Sequence, residues 1–168
     1  LLPWVQKVNA EGKGVLQSVS AVAHRLVVVT TEDVMSRIRV YLPDGKLERE
    51  INLPGPGSTG GMLGRWESDE GFFIFTSFAT PSQVMRADFR AKTESVWFKP
   101  DVPVKTEDFE VKQVWFNSKD GTRVPMFLVH KKGLKLDGNN PVLMRGYGGF
   151  NVAERPGFQL PAVIWAEM

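Results

Sequence analysis

The sequence predicts an antiparallel, β-rich fold over about its first hundred residues, followed by a segment that mixes strands with a helix. Three observations carry this reading. Gly and Pro number 16 and 11 among the 168 residues, and they fall between short apolar runs instead of inside long helical periods. Runs rich in β-branched and aromatic residues begin near Val15, Leu26, Arg37, Leu47, Phe72, Val84 and Ser95. Most of these starts lie about ten to twelve residues apart, the spacing of consecutive antiparallel strands with tight turns. The prolines of Lys99-Pro100-Asp101-Val102-Pro103 then mark a linker, after which the character of the chain changes.

The clearest turn is Pro43-Asp44-Gly45-Lys46: Pro fixes φ, Gly supplies a positive φ, and a hairpin follows. A Gly-rich stretch over residues 54–64 interrupts the rhythm before an apolar run at 72–78 resumes it. Two successive antiparallel sheets fit this pattern. No strict internal repeat is present, so the periodicity is compatible with a sandwich, a barrel or a propeller alike. Beyond the linker, residues 111–116 read as a strand, 118–122 as its turn and 126–130 as the returning strand, with Pro125 favouring a sheet edge. Residues 131–140 form a polar loop, and 141–145 a short buried strand that opens into Gly146-Tyr147-Gly148-Gly149-Phe150. Pro161 starts a helix.

Composition excludes several classes of function. With 21 Lys and Arg against 19 Asp and Glu, the net charge is +2, and no clustered basic stripe exists to neutralise phosphates, so no nucleic-acid partner is expected. Cys is absent, which removes disulfides, thiolate zinc sites and Cys nucleophiles; two histidines do not make a polyhistidine metal site. Neither metal nor cofactor is expected. The apolar runs at 26–29 and 72–75 fall far below the roughly 20 residues that span a bilayer, so no membrane partner is expected. Residues 1–13 lack secretory-signal features and an initiator Met, which leads to the expectation of an internal segment of a longer chain. The lack of Cys fits a cytoplasmic protein and is compatible with a periplasmic one.

The feature that carries chemistry is Tyr147-Gly148-Gly149-Phe150 after an apolar run. Glycines let a backbone approach a bound group closely, and a phenol beside them offers one aimed O–H donor that stays protonated at neutral pH. Taken alone, the tripeptide Tyr-Gly-Gly is also an ordinary Gly-rich turn. Its context is more specific. The block from Asp108 to Val152, with Asn117-Ser118-Lys119-Asp120-Gly121-Thr122, Pro125-Met126-Phe127-Leu128-Val129-His130 and Tyr147-Gly148-Gly149-Phe150-Asn151, strongly resembles the prolyl oligopeptidases, serine peptidases that cleave after proline. Upstream, Phe75-Thr76-Ser77-Phe78 with Thr80-Pro81 resembles the last propeller blades of that family.

The resemblance implies the C-terminal part of a seven-bladed β-propeller over residues 1–101, then the first strands of an α/β-hydrolase domain over 102–168. It implies hydrolysis of short peptides on the carboxyl side of proline, with such peptides and the remaining segments of the same parent chain as partners. By position in the family motif, Tyr147 is the side-chain donor to the oxyanion, and Phe150, with Gly148 and Gly149, lines the substrate pocket. Composition alone reads Phe150 as a core aromatic instead. The family's Ser, Asp and His lie downstream of this motif, so nucleophile, acid and base are all expected to be missing and the 168 residues alone to be inactive. Three sister families with the same two domains are the alternatives: oligopeptidase B, the acylaminoacyl peptidases and the dipeptidyl peptidases. A non-catalytic β-propeller interaction module is another.

The remaining candidates read as structural. Ser58 in Gly57-Ser58-Thr59-Gly60-Gly61 superficially resembles a nucleophile elbow, but Pro56 stands where the elbow needs Gly and no helix follows, so Ser58 is read as a loop residue. His130 closes a strand next to Lys131 and Lys132, and His24 precedes the strand at 26–29. Asp44 and Asp120 each precede Gly and are explained by turns. Arg37, Arg39, Lys131 and Lys132 are read as solvated charges.

Overall fold

A computed structural model describes residues 14–150 and 152–168; residues 1–13 of the expected first domain, and Asn151 of the Tyr147 motif, lie outside the described residues. The seven strands expected before the linker form within two positions of their expected starts. The first sheet is an antiparallel meander of β1 (Val15–Val22), β2 (Arg25–Glu32), β3 (Met35–Tyr41) and β4 (Leu47–Ile51), hydrogen-bonded in chain order. At the expected turn Gly45 takes φ +90°, its N–H donates to the Leu42 carbonyl at 2.9 Å, and the Lys46 N–H donates to the Asp44 carboxylate at 2.9 Å. The other two hairpins use Ala23-His24 and Asp33-Val34, all four with positive φ, as a primed two-residue loop requires. No Asn-Gly signal announces them. For Ala23 and His24 the strain is offset by N–H bonds to the Arg65 and Trp66 carbonyls, at 3.0 and 2.9 Å, and by the His24 ring standing edge-on to Trp66.

The Gly-rich stretch is not merely an interruption. It carries β5 (Ser58–Thr59) and β6 (Leu63–Gly64), which share one edge of β7 (Glu70–Thr76); β8 (Gln83–Asp88) and β9 (Thr93–Phe98) complete the second sheet. Thr59 faces Phe75 and Leu63 faces Phe72, so the stretch between β5 and β6 holds one residue more than the facing stretch of β7, which is a bulge. Strands of two residues carry no periodicity, and the sequence reading passed over both.

Cross-strand pairs place Val27 beside Val40, Val29 beside Ile38 and Ile38 beside Ile51 on one face of the first sheet. Phe73 beside Met85 and Gly71 beside Ala87 occupy one face of the second. These two faces close on each other in a single buried cluster. Each large aliphatic or aromatic side chain buried there contributes about 1.5–3 kcal/mol. Close approach depends on Gly64: a Cβ there would lie 2.5 Å from Val22 Cγ1 and 2.9 Å from the Glu70 carbonyl oxygen. Ion pairs join the sheets at one margin, Arg49 to Glu94 at 2.6 Å and Lys92 to Glu48 at 3.3 Å, with Arg25 on the same Glu48 at 2.7 Å.

Arg37 and Arg39 are not simply solvated. Arg39 bridges Glu32 at 2.5 Å and Glu50 at 3.5 Å, and Arg37 also reaches Glu50 at 3.5 Å. The Arg39 hydrogen bond holds the Glu32 carboxyl below the usual carboxylate range, against an opposing push from burial.

After the linker, β10 (Phe109–Asn117) and β11 (Arg123–Lys131) form a hairpin paired along nine positions, and β11 has no second neighbour among the described residues. Pro125 lies within β11 opposite Trp115. Helix α1 (Leu160–Glu167) begins with Pro161 in its first turn and buries Val163; Lys131 Nζ donates to the Glu167 carbonyl at 2.8 Å, a cation at the negative end of the helix. Val163, Phe109 and Ala79 of the β7–β8 loop form a second core. Residues 141–145 correct the sequence reading: they are not a strand, and Val142 and Met144 are 82% and 86% exposed. An apolar run becomes a strand only where a neighbour accepts its backbone hydrogen bonds, and no described strand pairs with this one.

Two outcomes follow from this packing. Gly64→Ala is expected to cost about 1–3 kcal/mol by overpacking, read as a lower urea midpoint. Gly60→Ala, with nothing within 4 Å of its Cβ, is the near-neutral comparison. Because the Glu32 pKa is depressed on folding, its stabilising effect is present above the ordinary carboxylate value of the unfolded chain and is lost as pH falls through the lower folded value. The difference in urea midpoint between pH 7 and pH 3.5 is therefore expected to shrink in Glu32→Gln.

Candidate functional site

The Tyr147 loop is a short irregular segment held at both ends. Before it, Arg145 Nη1 donates to Gln159 Oε1 at 2.7 Å and Nη2 lies 3.7 Å from Glu154 Oε1, so one guanidinium spans the loop and ties its two limbs together. Within it, the Val152 N–H donates to the Gly149 carbonyl at 3.1 Å, and Phe150 adopts φ +52°. After it, Pro156 is fully buried and the Phe158 N–H donates to Thr76 Oγ1 at 3.2 Å. A chain pinned on both sides with a left-handed residue between them projects its side chains outward.

Tyr147 is 53% exposed and Phe150 94% exposed, and both line one open concavity together with Gly148, Gly149, Val152 and Ala153. Phe150 is therefore not a core aromatic. The Tyr147 hydroxyl has no hydrogen-bond partner among the described residues, and a Cβ on Gly149 would stand 3.9 Å from it, which shows how near the glycine backbone lies. The concavity thus offers a phenol O–H, glycine backbone and an apolar ring side by side. Such a set suits a carbonyl oxygen gaining negative charge beside an apolar substituent. Among the described residues, no Ser, Cys, His, Asp or Glu lines it.

The other candidates fall outside this loop. Ser58 is not in a loop but opens β5, paired with Thr76. His130 is buried, its Nδ1 donates to the Lys131 carbonyl at 2.8 Å, and its Nε2 faces Glu110 at 3.8 Å, so it packs the hairpin. His24 occupies the β1–β2 turn. The Asp120 carboxylate accepts the Thr122 N–H at 3.0 Å, as its turn reading requires. Sequence reasoning missed Arg145 and Arg155, which hold the loop from either side. Their partners are distant along the chain or non-periodic, and Arg155-Pro156 alone left a local trace, since a residue before Pro is held extended.

Comparison with known proteins adds to this geometry. Residues 3–100 match the family model for the N-terminal β-propeller domain of prolyl oligopeptidase. The chain belongs to the prolyl oligopeptidase family. It is 40% identical over 136 residues to a prolyl endopeptidase of Elizabethkingia miricola, covering 81% of this chain and 19% of that one. It resembles a solved prolyl endopeptidase with a TM-score of 0.79 at 40% identity, over 94% of this chain and 23% of the other. Prolyl oligopeptidase B of Galerina marginata, solved with a 35-residue hydrolysis and macrocyclization substrate, matches with a TM-score of 0.79 at 27% identity, over 94% of this chain and 22% of its own. The chain spans about a fifth of the length of these curated relatives. The two meander sheets are accordingly propeller sheets of a prolyl oligopeptidase.

Proposed function

We propose that this chain is part of a serine endopeptidase that hydrolyses short peptides on the carboxyl side of proline. On this reading residues 1–101 end a seven-bladed propeller and residues 102–168 begin an α/β-hydrolase domain. The family match ending at residue 100 supports a boundary there. One observation carries the reading: the Tyr147 phenol, unpaired and half-exposed, shares a concavity with the outward-facing Phe150.

Tyr147 stabilises the oxyanion that forms as the scissile carbonyl is attacked, by donating its O–H to the oxygen. Phe150 offers its face to the substrate proline ring, and Gly148 and Gly149 leave room for the peptide backbone. The chain contributes these positioning and stabilising groups, whereas the Ser, His and Asp of the acyl-transfer chemistry come from the remainder of the parent protein. These 168 residues by themselves cleave nothing.

In the full-length parent, Tyr147→Phe is expected to lower kcat by about 100- to 1,000-fold, or about 2.7–4 kcal/mol, with a much smaller change in KM. Equal turnover of a proline-containing amide by mutant and wild type would remove Tyr147 from the mechanism. Phe150→Ala is expected to act instead on KM and to narrow the preference for Pro over Ala at the cleaved position. Profiling the parent against peptides ending in Pro, Arg or Ala separates the proline-specific reading from its sister families. A fluorophosphonate label that failed to react with the parent would point to a non-catalytic module.

A further inference from the structure

The segment after the Tyr147 loop is seated in the seam between the two propeller sheets. Arg155 Nη1 donates to Gln17 Oε1 at 3.1 Å, and its Nη2 reaches Ser36 Oγ at 3.5 Å. Gln17 is in β1 at the point where the β1–β2 register slips, and Ser36 is in β3; Thr76, which accepts the Phe158 N–H, ends β7. Within four residues the chain grips both sheets. At this rim the apolar seam gives way to hydroxyls. Ser36 is buried and accepts the Thr59 N–H at 3.0 Å, and Thr31 is its cross-strand partner.

The grip is specific and also weak. Arg155 meets neutral oxygens, no carboxylate lies within ion-pair distance of it among the described residues, and its Nε is buried without a partner there. A guanidinium held in this way is retained by its hydrogen bonds and fit and not by an ion pair. Two other contacts join the same parts further from the loop: Gln113 Nε2 to the Asp33 carbonyl at 2.6 Å, and the Phe78 and Phe127 rings with centroids 5.1 Å apart. Releasing Arg155 therefore loosens the base of the loop without parting the two halves.

We propose that Arg155 is a positioning residue, a latch that seats the base of the Tyr147 loop in the seam between the two sheets and so fixes where Tyr147 and Phe150 stand. The proposal rests on the catalytic reading of those two residues, but the latch itself is read by a measurement that does not. In the full-length protein, Arg155→Met is expected to speed amide hydrogen exchange at residues 33–36 and 152–158 by roughly tenfold, with exchange in β7 and β8 unchanged. Gln17→Leu should produce part of the same effect, and the double variant should add little to Arg155→Met alone. Turnover should fall by about tenfold in kcat/KM, with kcat lowered through Tyr147 and KM raised through Phe150, the pattern of a group acting through the two it positions. Unchanged exchange in Arg155→Met, or fully additive effects of the two substitutions, would overturn the latch. Should Arg155→Met fail to fold, Gln17→Leu reads the same contact from the propeller side. Altered exchange together with a fully active Tyr147→Phe protein would leave the latch standing and sink the catalytic reading instead.

Discussion

The position of everything near Tyr147 depends on how closely the two sheets meet. Valines and isoleucines of the first sheet interlock with phenylalanines and methionines of the second, and Gly64 lets the β6–β7 backbone lie against Val22. With that spacing set, three rim segments acquire fixed relative places: the Asp33-Val34 turn, the end of β7 and the β7–β8 loop. The second part of the chain docks on these segments. Ala79 enters its core with Phe109 and Val163, Thr76 holds Phe158, and the Asp33 carbonyl holds Gln113. A shift in the seam would displace all three anchors together, and the Tyr147 loop with them.

Strand rhythm was legible because it is a local property. Seven strands of the two sheets announced themselves through β-branched and aromatic alternation, and Asp44-Gly45 through its turn chemistry. What stayed hidden depends on neighbours. Strands β5 and β6 exist because β7 has an edge to pair, not because Ser58, Thr59, Leu63 or Gly64 favour strands. Ala23-His24 forms a left-handed loop only because carbonyls from residues 65 and 66 receive its N–H groups. Conversely, residues 141–145 have a strand's composition without a partner strand among the described residues, and they form no strand. Propensity describes what a segment tolerates; pairing decides what it becomes.

The candidate site divides along the same line. Tyr147, Gly148, Gly149 and Phe150 were legible as a contiguous motif, since residue types that serve one chemistry sit side by side. Their supports were not. Arg155 reaches a glutamine 138 positions earlier in the chain, and Arg145 closes the loop through Gln159. A lone arginine in a sequence is most simply a solvated charge, and nothing in the pattern around either one marks a buried or bridging role. Arg39, also read as solvated, is in fact shared between Glu32 and Glu50 for the same reason.

The exposure of Tyr147 sets a physical condition on the proposed chemistry. A phenol donating to an oxyanion in open water gains little, because water donates to the same oxygen nearly as well. A benefit of several kcal/mol arises only where water is excluded and the donor is already aimed. Residues 147–153 achieve the aim through Arg145 and the buried Pro156, but with Tyr147 half-exposed they do not achieve the exclusion. On the proposed reading the cover must come from the rest of the parent together with the bound peptide, whose proline would shield Phe150 as it arrives. Preorganisation and desolvation are thus supplied by different parts of the protein, which is why a rim contact such as Arg155, far from the reacting atoms, bears on where the donor stands when the site closes.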